Sequence, residues 1–365
     1  MRYSTRPTAR SGRSARVNDD APIDLRSDTV TKPSKQMRTA MATAEVGDDV
    51  LDGDPTMAEL QERVANLLGV QAALWVPSGS MGNLIALTAH LSRGDAFLAP
   101  AGAHVLDAEL GTAAWLAGGM PRPMPHDAGP GRITPDAVVR AAGTPGPYYT
   151  LRTTLLCLEN THMSAGGVVT EVDEHAALAA AARSAGLKVH LDGARLWHAA
   201  IALGLPPAAL TVGVDTVQVC LSKALGAPVG SVVAGTAEFV EEARRLRKML
   251  GGGVRQGGVL AAAGLVALDN IDRLAKDHEH AAKLAEGLSD LGWRVTTPRT
   301  NIVLLTPADM PSTLRRLERA NVLVGPIGGQ IRFVTHGDLT NADIDNALRR
   351  IGPAEDGYAT SRRLA

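Results

Sequence analysis

Apolar positions recur along the chain in two alternating rhythms. Met57, Leu60, Val64 and Leu67 fall on one face at helical spacing, which predicts an amphipathic helix over residues 57–68; the apolar run 72–76 after it predicts a strand. Residues 80–91 read as the next helix and 96–99 as a short strand. Four further β-rich runs follow at 154–158, 188–191, 216–221 and 231–234, with a helix over 174–185 between the first two. Strands alternating with Ala-rich helical segments predict an α/β protein with a mostly parallel sheet. No internal repeat is visible.

Beyond Gly264 the texture changes. A long charged amphipathic helix over 271–288 precedes β-rich runs at 293–295, 301–305 and 331–334 around 311–320, enough for a small α+β layer. At 365 residues one core usually gives way to two. The expected organisation is a large domain over 21–275 with an N-terminal arm at 21–56, a small C-terminal domain over 276–354, and tails at 1–20 and 355–365. The first tail carries Arg2, Arg6, Arg10, Arg13 and Arg16 with no acidic residue before Asp19, a composition that organelle transit peptides share. It has too little apolar residue to offset the entropy of ordering, which predicts a disordered basic segment.

Composition removes several classes. There are 37 Lys and Arg against 38 Asp and Glu, a net charge of −1, and 3% aromatics, so neither charge nor stacking surface favours nucleic acid. Hydrophobic residues at 45% and charged ones at 21% describe a water-soluble globular protein. The longest near-apolar stretch, 257–268, falls short of the ~20 residues that span a bilayer. Cys157 and Cys220 sit in strand-like runs without a Cys or His at metal-ligand spacing, which predicts buried thiols and no metal.

In parallel α/β sheets, ligands collect at the carboxyl ends of strands. Three polar endings stand out. Ser78-Gly79-Ser80-Met81-Gly82-Asn83 follows the first strand and opens a helix, where small residues let N–H groups and hydroxyls meet a phosphate; any tight strand-to-helix turn also likes Gly and Ser. Asp192 closes the run 187–191 before Gly193-Ala194-Arg195, and in isolation it could equally cap the next helix. Lys223 follows the run 217–222 and precedes a Gly-rich apolar segment, with no carboxylate nearby in sequence. Such surroundings invite the lowered pKa that an imine-forming amine needs. Together, a phosphate turn, a strand-end Asp and a Ser-Lys 31 residues later (223 − 192) suit pyridoxal phosphate, whose ring nitrogen needs a carboxylate and whose aldehyde needs a lysine. No G-x-G-x-x-G behind a strand and no G-x-x-x-x-G-K-[ST] run supports a nucleotide instead.

From about residue 23 to 351 the chain resembles the low-specificity L-threonine aldolase family, within the aspartate-aminotransferase-like (fold type I) group of pyridoxal phosphate enzymes. The blocks that carry this are Asp24-Leu25-Arg26-Ser27-Asp28-Thr29-Val30-Thr31, Gly47-Asp48-Asp49-Val50, Asp54-Pro55-Thr56, Leu158-Glu159-Asn160-Thr161-His162, Asp192-Gly193-Ala194-Arg195, Leu221-Ser222-Lys223, Gly251-Gly252-Gly253-Val254-Arg255-Gln256 and Arg332-Phe333-Val334-Thr335-His336. The resemblance implies that Lys223 holds the cofactor covalently, Asp192 pairs with the pyridine nitrogen, Gly79 and Ser80 bind the phosphate with help from Ser222, and His104 lies against the ring face. It implies a catalytic role for His162 near the substrate hydroxyl. Ser27, Arg195 and Arg332 match residues that grip the substrate carboxylate, and Arg255 one that reaches the phosphate of a neighbouring subunit.

The expected enzyme is therefore a cytoplasmic homo-oligomer, a dimer of dimers, that splits L-threonine, L-allo-threonine or a related β-hydroxy-α-amino acid into glycine and an aldehyde. β-Elimination or transamination on the same fold is the alternative chemistry, and a non-catalytic binding protein the alternative class. Leu51 and Met163 stand where relatives often carry Tyr and Asn, which suggests a more apolar pocket for the substrate side chain. His90, His175, His278 and His280 read as surface residues in charged or Ala-rich helices, and His126 as part of a Pro-rich loop; His190 and His198 read as packing or supporting residues. His336 belongs to a matching block without an assigned role.

Overall fold

A computed structural model describes residues 21–51, 53–144 and 146–354; both tails lie outside the described residues. A two-residue strand, β1 (Ile23–Asp24), opens the described chain. The central sheet is built from β2 (Ala72–Val76), β3 (Ala96–Pro100), β4 (Met120–Met124), β5 (Thr153–Glu159), β6 (Lys188–Gly193), β7 (Thr216–Cys220) and β8 (Ser231–Gly235). Their spatial order is β2-β8-β7-β6-β5-β3-β4. All neighbours from β7 to β4 are parallel, while β8 is antiparallel to both β2 and β7. Two reversals restore direction, so β2 runs with β7 and its carboxyl end lies on the same rim as theirs. Val76 and Cys220 flank Ser231 in that register.

Strand β4 was hidden in the sequence by Pro121 and Pro123, which lack the N–H of a ladder residue. It is tolerated because β4 is an edge strand. The reverse discrepancy occurs at 293–295: this run is no strand, and only Val295 bridges to Leu305.

The helices are α1 (Lys35–Thr43), α2 (Pro55–Leu68), α3 (Gly79–His90), α4 (His104–Asp107), α5 (Thr112–Trp115), α6 (Pro135–Ala142), α7 (Val172–Ser184) and α8 (Leu196–Leu203), followed by α9 (Ala237–Met249), α10 (Gly258–Leu268), α11 (Leu274–Asp290), α12 (Met310–Arg319) and α13 (Asn341–Ile351). Alternation along β5 shows how they sandwich the sheet: Leu156 and Leu158 face the core formed with α2, α7, α8 and α10, while Leu155 and Cys157 face α3 and α5. Cys157 and Cys220 are buried and unpaired by disulfide. Among the described residues no helix is long and apolar enough to cross a membrane.

A second core forms between α11, α13 and the antiparallel sheet of β9 (Ile302–Leu305), β11 (Gly325–Ile327) and β12 (Gln330–Val334), ordered β11-β12-β9. Strand β10 (Val322–Leu323) pairs in parallel with β1, and Ile23 and Leu25 enter this second core. The arm thereby ties the C-terminal layer to the rim of the large sheet, where its next residues stand.

Candidate active site

The rim gathers the carboxyl ends of β2, β3, β5, β6 and β7. Asp192 and Glu159 are register partners at the ends of β6 and β5. Asp192 is buried; Oδ1 accepts from the Ala194 N–H at 3.0 Å and Oδ2 from Asn83 Nδ2 at 2.8 Å. One strand over, β7 leads into Ser222 and Lys223, both half-buried. Thr31 of the arm donates to the Lys223 carbonyl at 2.8 Å and Arg273, just before α11, donates to that of Ala224, so the backbone is held at the lysine and at the residue after it. Lys223 enters no ion pair among the described residues, although its charge is felt by Asp28 and His104.

Helix α3 starts because Ser78 caps it, accepting from the Met81 N–H at 3.2 Å. Gly79 lies against β7, where a Cβ would stand 2.9 Å from both Cys220 Sγ and Gln218 Oε1, and a Cβ on Gly82 would meet Gln218 Cγ at 2.6 Å. Only glycines let this helix start so close to the sheet. Its first N–H groups lack intrahelical partners, and the Ser80 side chain is exposed beside them.

Two histidines reach the rim from neighbouring loops, and Glu159 ties the loops together. Its carboxylate accepts from the His104 N–H at 2.7 Å and from the Met163 N–H at 2.8 Å. His104 Nδ1 lies 2.7 Å from Glu109 Oε1, and this hydrogen bond raises the imidazole's pKa. His162 differs. It is 1% exposed, its Nε2 has no partner, and burial lowers its pKa, so a neutral imidazole with a free ring nitrogen is available at neutral pH. His126, unassigned by sequence, packs edge-on against it with centroids 5.4 Å apart.

Three candidate carboxylate-binding residues are placed unequally. Arg332, on β12, has no carboxylate partner among the described residues: it donates to the Met163 thioether and the Arg26 carbonyl, and its Nε is buried without a partner. Burial and the nearby Arg195 lower its pKa. Ser27 starts the adjacent turn of the arm, its hydroxyl accepting from Thr29. Arg195 is already engaged, binding Asp28 through Nε at 2.8 Å and Nη2 at 2.6 Å. Arg255 stands apart from this group, half-exposed and facing Asp48 of its own chain at 3.3 Å.

The histidines expected at the surface are not there. His175 and His280 are buried, and His90 and His278 are half-buried. His278 Nε2 lies 2.9 Å from His198 Nδ1, and His280 meets Asn341. Charged neighbours in sequence misled, because His175, His278 and His280 sit on the inward faces of their helices. His336 binds the Asp24 carbonyl at 2.8 Å, which gives it a structural part in anchoring the arm. Sequence reasoning gave no role to Asp28, Glu109, Asn83 or Glu159; all four are buried polar groups, and three lay inside quoted motifs.

A buried strand-end carboxylate, a lysine without an ion pair just after the next strand and an unencumbered helix start fit pyridoxal phosphate. Matching against protein families identifies residues 24–309 as a beta-eliminating lyase. The chain belongs to that family, which makes it a lyase dependent on pyridoxal phosphate. Within the family it is similar to low-specificity L-threonine aldolase 1 of Arabidopsis thaliana, 42% identical over 89% of this chain and 94% of that one. It is also similar to the low specificity L-threonine aldolase of Escherichia coli K12, 40% identical over 88% and 96%. The fold matches a threonine aldolase of Leishmania major at TM-score 0.79 and 21% identity over 90% of this chain and 98% of that one. It also matches a serine palmitoyltransferase of Sphingomonas wittichii at 0.72 and 17%, over 90% and 86%.

Proposed function

We propose that this lyase is an aldolase cleaving L-threonine, L-allo-threonine or a related β-hydroxy-α-amino acid to glycine and an aldehyde, reversibly. The observation that carries this reading is Arg332, a guanidinium held without a carboxylate of its own beside the residue that follows His162. When bound, pyridoxal phosphate supplies the electron sink that makes a Cα bond labile.

The chain's own residues then divide the work. Lys223 would hold the cofactor, Asp192 would pair with its ring nitrogen, and Gly79, Ser80 and Ser222 would bind its phosphate. His104 would pack against its ring. Arg332, Ser27 and Arg195 bind the substrate carboxylate, Arg195 with the Nη1 that its pair with Asp28 does not use. Fixing the carboxylate decides which Cα bond stands perpendicular to the ring. His162 Nε2, unpartnered and neutral, takes the β-hydroxyl proton, so that the Cα–Cβ bond is the one that breaks. The relatives' names, low-specificity L-threonine aldolase, support the same substrate class.

The active unit in this reading is a cytoplasmic dimer of dimers, with Arg255 reaching the phosphate of a neighbouring subunit. Purified holoenzyme incubated with glycine and a panel of aldehydes tests the function: new β-hydroxy amino acids are expected. Oxo acid and ammonia from the corresponding amino acids, with no aldol product, would replace it by β-elimination.

A further inference from the structure

Asn83 is a polar side chain buried on the sheet-facing side of α3, where a leucine would satisfy packing. Both of its amide hydrogens and its carbonyl oxygen are directed at charged or aromatic neighbours. Nδ2 donates to Asp192 Oδ2 and to Glu109 Oε1, each at 2.8 Å, and Oδ1 lies 3.1 Å from His190 Nε2. A flipped amide would set its oxygen against two carboxylate oxygens, so the orientation is determined.

The rest of the chain of bonds follows from that orientation. Asn83 Oδ1 only accepts, so His190 Nε2 carries a hydrogen. His190 is fully buried and burial lowers its pKa to about 4, which leaves Nδ1 bare in the neutral ring. That nitrogen accepts from the Thr216 hydroxyl at 2.9 Å. The hydroxyl oxygen in turn accepts from His90 Nε2 at 3.0 Å. Every hydrogen points the same way: from His90 through Thr216, His190 and Asn83 to Asp192. Asn83 and His90 are seven residues apart on one face of α3, so a single helix supplies both the start of the relay and the residue that meets Asp192. Bonds aligned in one direction polarise one another in a low-dielectric interior. On its other hydrogen, Asn83 joins Asp192 to the Glu109–His104 pair.

We propose that Asn83 is a positioning residue which, held by His190 and Thr216, fixes the Asp192 carboxylate against the ring nitrogen of pyridoxal phosphate and couples it to His104. This rests on the reading that Asp192 faces that nitrogen. No other buried amide among the described residues donates to two carboxylates.

The test is cofactor binding to apoenzyme, comparing pyridoxal phosphate with its 1-deaza analogue, in which a carbon replaces the ring nitrogen. Asn83→Leu should weaken pyridoxal phosphate binding about 10–100-fold, the equivalent of one hydrogen bond to a charged group. It should leave the deaza analogue within about twofold of its wild-type affinity, since that analogue has no nitrogen for Asp192 to hold. His190→Phe should show a smaller loss of the same kind, and His190→Gln should restore it, because the Gln amide can still donate to Asn83. Thr216→Val, an isosteric change three hydrogen bonds along the relay from Asp192, keeps the relay testable should Asn83→Leu fold poorly. Equal weakening of both cofactors, or of neither, in Asn83→Leu or, if that variant misfolds, in Thr216→Val would overturn the proposal. Asp192→Ala separates the premises: if it discriminates between the cofactors and the relay variant does not, only the role of Asn83 fails. If Asp192→Ala does not discriminate either, the placement of Asp192 fails and this inference with it.

Discussion

Arg195 binds Asp28 with two parallel hydrogen bonds, Nε to Oδ2 at 2.8 Å and Nη2 to Oδ1 at 2.6 Å, and both side chains are almost wholly buried. Asn301, beside β9, adds a contact to Oδ2 at 3.3 Å, so one carboxylate joins the turn after β6 to the C-terminal layer. Burial alone would push the Asp28 carboxyl up; the Arg195 guanidinium more than reverses this and holds it well below the usual carboxylate range. Replacing Asp28→Ala should therefore cost about 3–5 kcal/mol, because it strands a buried guanidinium. Urea unfolding at pH 7 measures this. The difference from wild type should shrink as pH falls below about 4, where the unfolded carboxyl begins to protonate and the native pair loses its advantage. A loss under about 1 kcal/mol would show that Arg195 finds another partner.

Arg332 presents the opposite case, a half-buried guanidinium without a carboxylate among the described residues. Arg332→Lys should raise the KM for the β-hydroxy amino acid and lower kcat together, each about tenfold or more, since an ammonium cannot hold a carboxylate with two parallel bonds. The chemical change is conservative in charge only. Unaltered binding of glycine, followed by the change in the cofactor's visible band, would remove Arg332 from the carboxylate site.

Much of this site could be read from sequence because its main residues end apolar strand runs. Asp192 and Lys223 are local signals of that kind. Asp28 and Arg195 lie 167 positions apart, and nothing in either neighbourhood announces the other. Glu109 and Glu159 were equally silent: their work is to hold His104, Asn83 and the Met163 backbone, contacts that exist only once β3, β5 and β6 lie side by side. The edge strand Met120–Met124 was missed for a different reason, since its prolines argue against any interior strand. Histidines in Ala-rich helices were misread because alanine does not mark which face is buried.

His175 makes that misreading measurable. It is 1% exposed on α7, neither ring nitrogen has a partner, and burial lowers its pKa to about 4. Its folded pKa lies below the unfolded value, so the unfolded chain binds the proton first as pH falls. Stability is then lost between about pH 6.5 and 4, by up to about 3 kcal/mol at the lower end. His175→Leu removes this loss and leaves an apolar side chain in an apolar place. Relative to wild type, its unfolding free energy should gain little at pH 8 and most at pH 4.5. Parallel pH curves for the two proteins would show that His175 is protonated in place.

His162 offers the sharpest separation of chemistry from structure. In the proposed reading its free Nε2 takes the β-hydroxyl proton, whereas exchange of a glycine Cα proton involves no β-hydroxyl. His162→Phe keeps the ring volume and the edge contact offered to His126. Aldol cleavage should fall by ~10²–10⁴-fold, the usual cost of losing a general base. Glycine Cα-proton exchange in the same variant should stay within about threefold of wild type, because Arg332, Asp192 and Lys223, the residues proposed to bind glycine and the cofactor, are untouched. The two rates are measured on one preparation, by aldehyde release and by deuterium incorporation. If both fall together, the ring of His162 is needed to shape the pocket, and the proton must be taken by another group. If neither falls, His162 does not approach the hydroxyl at all, and His126, the only ring packed against it among the described residues, becomes the next base to test.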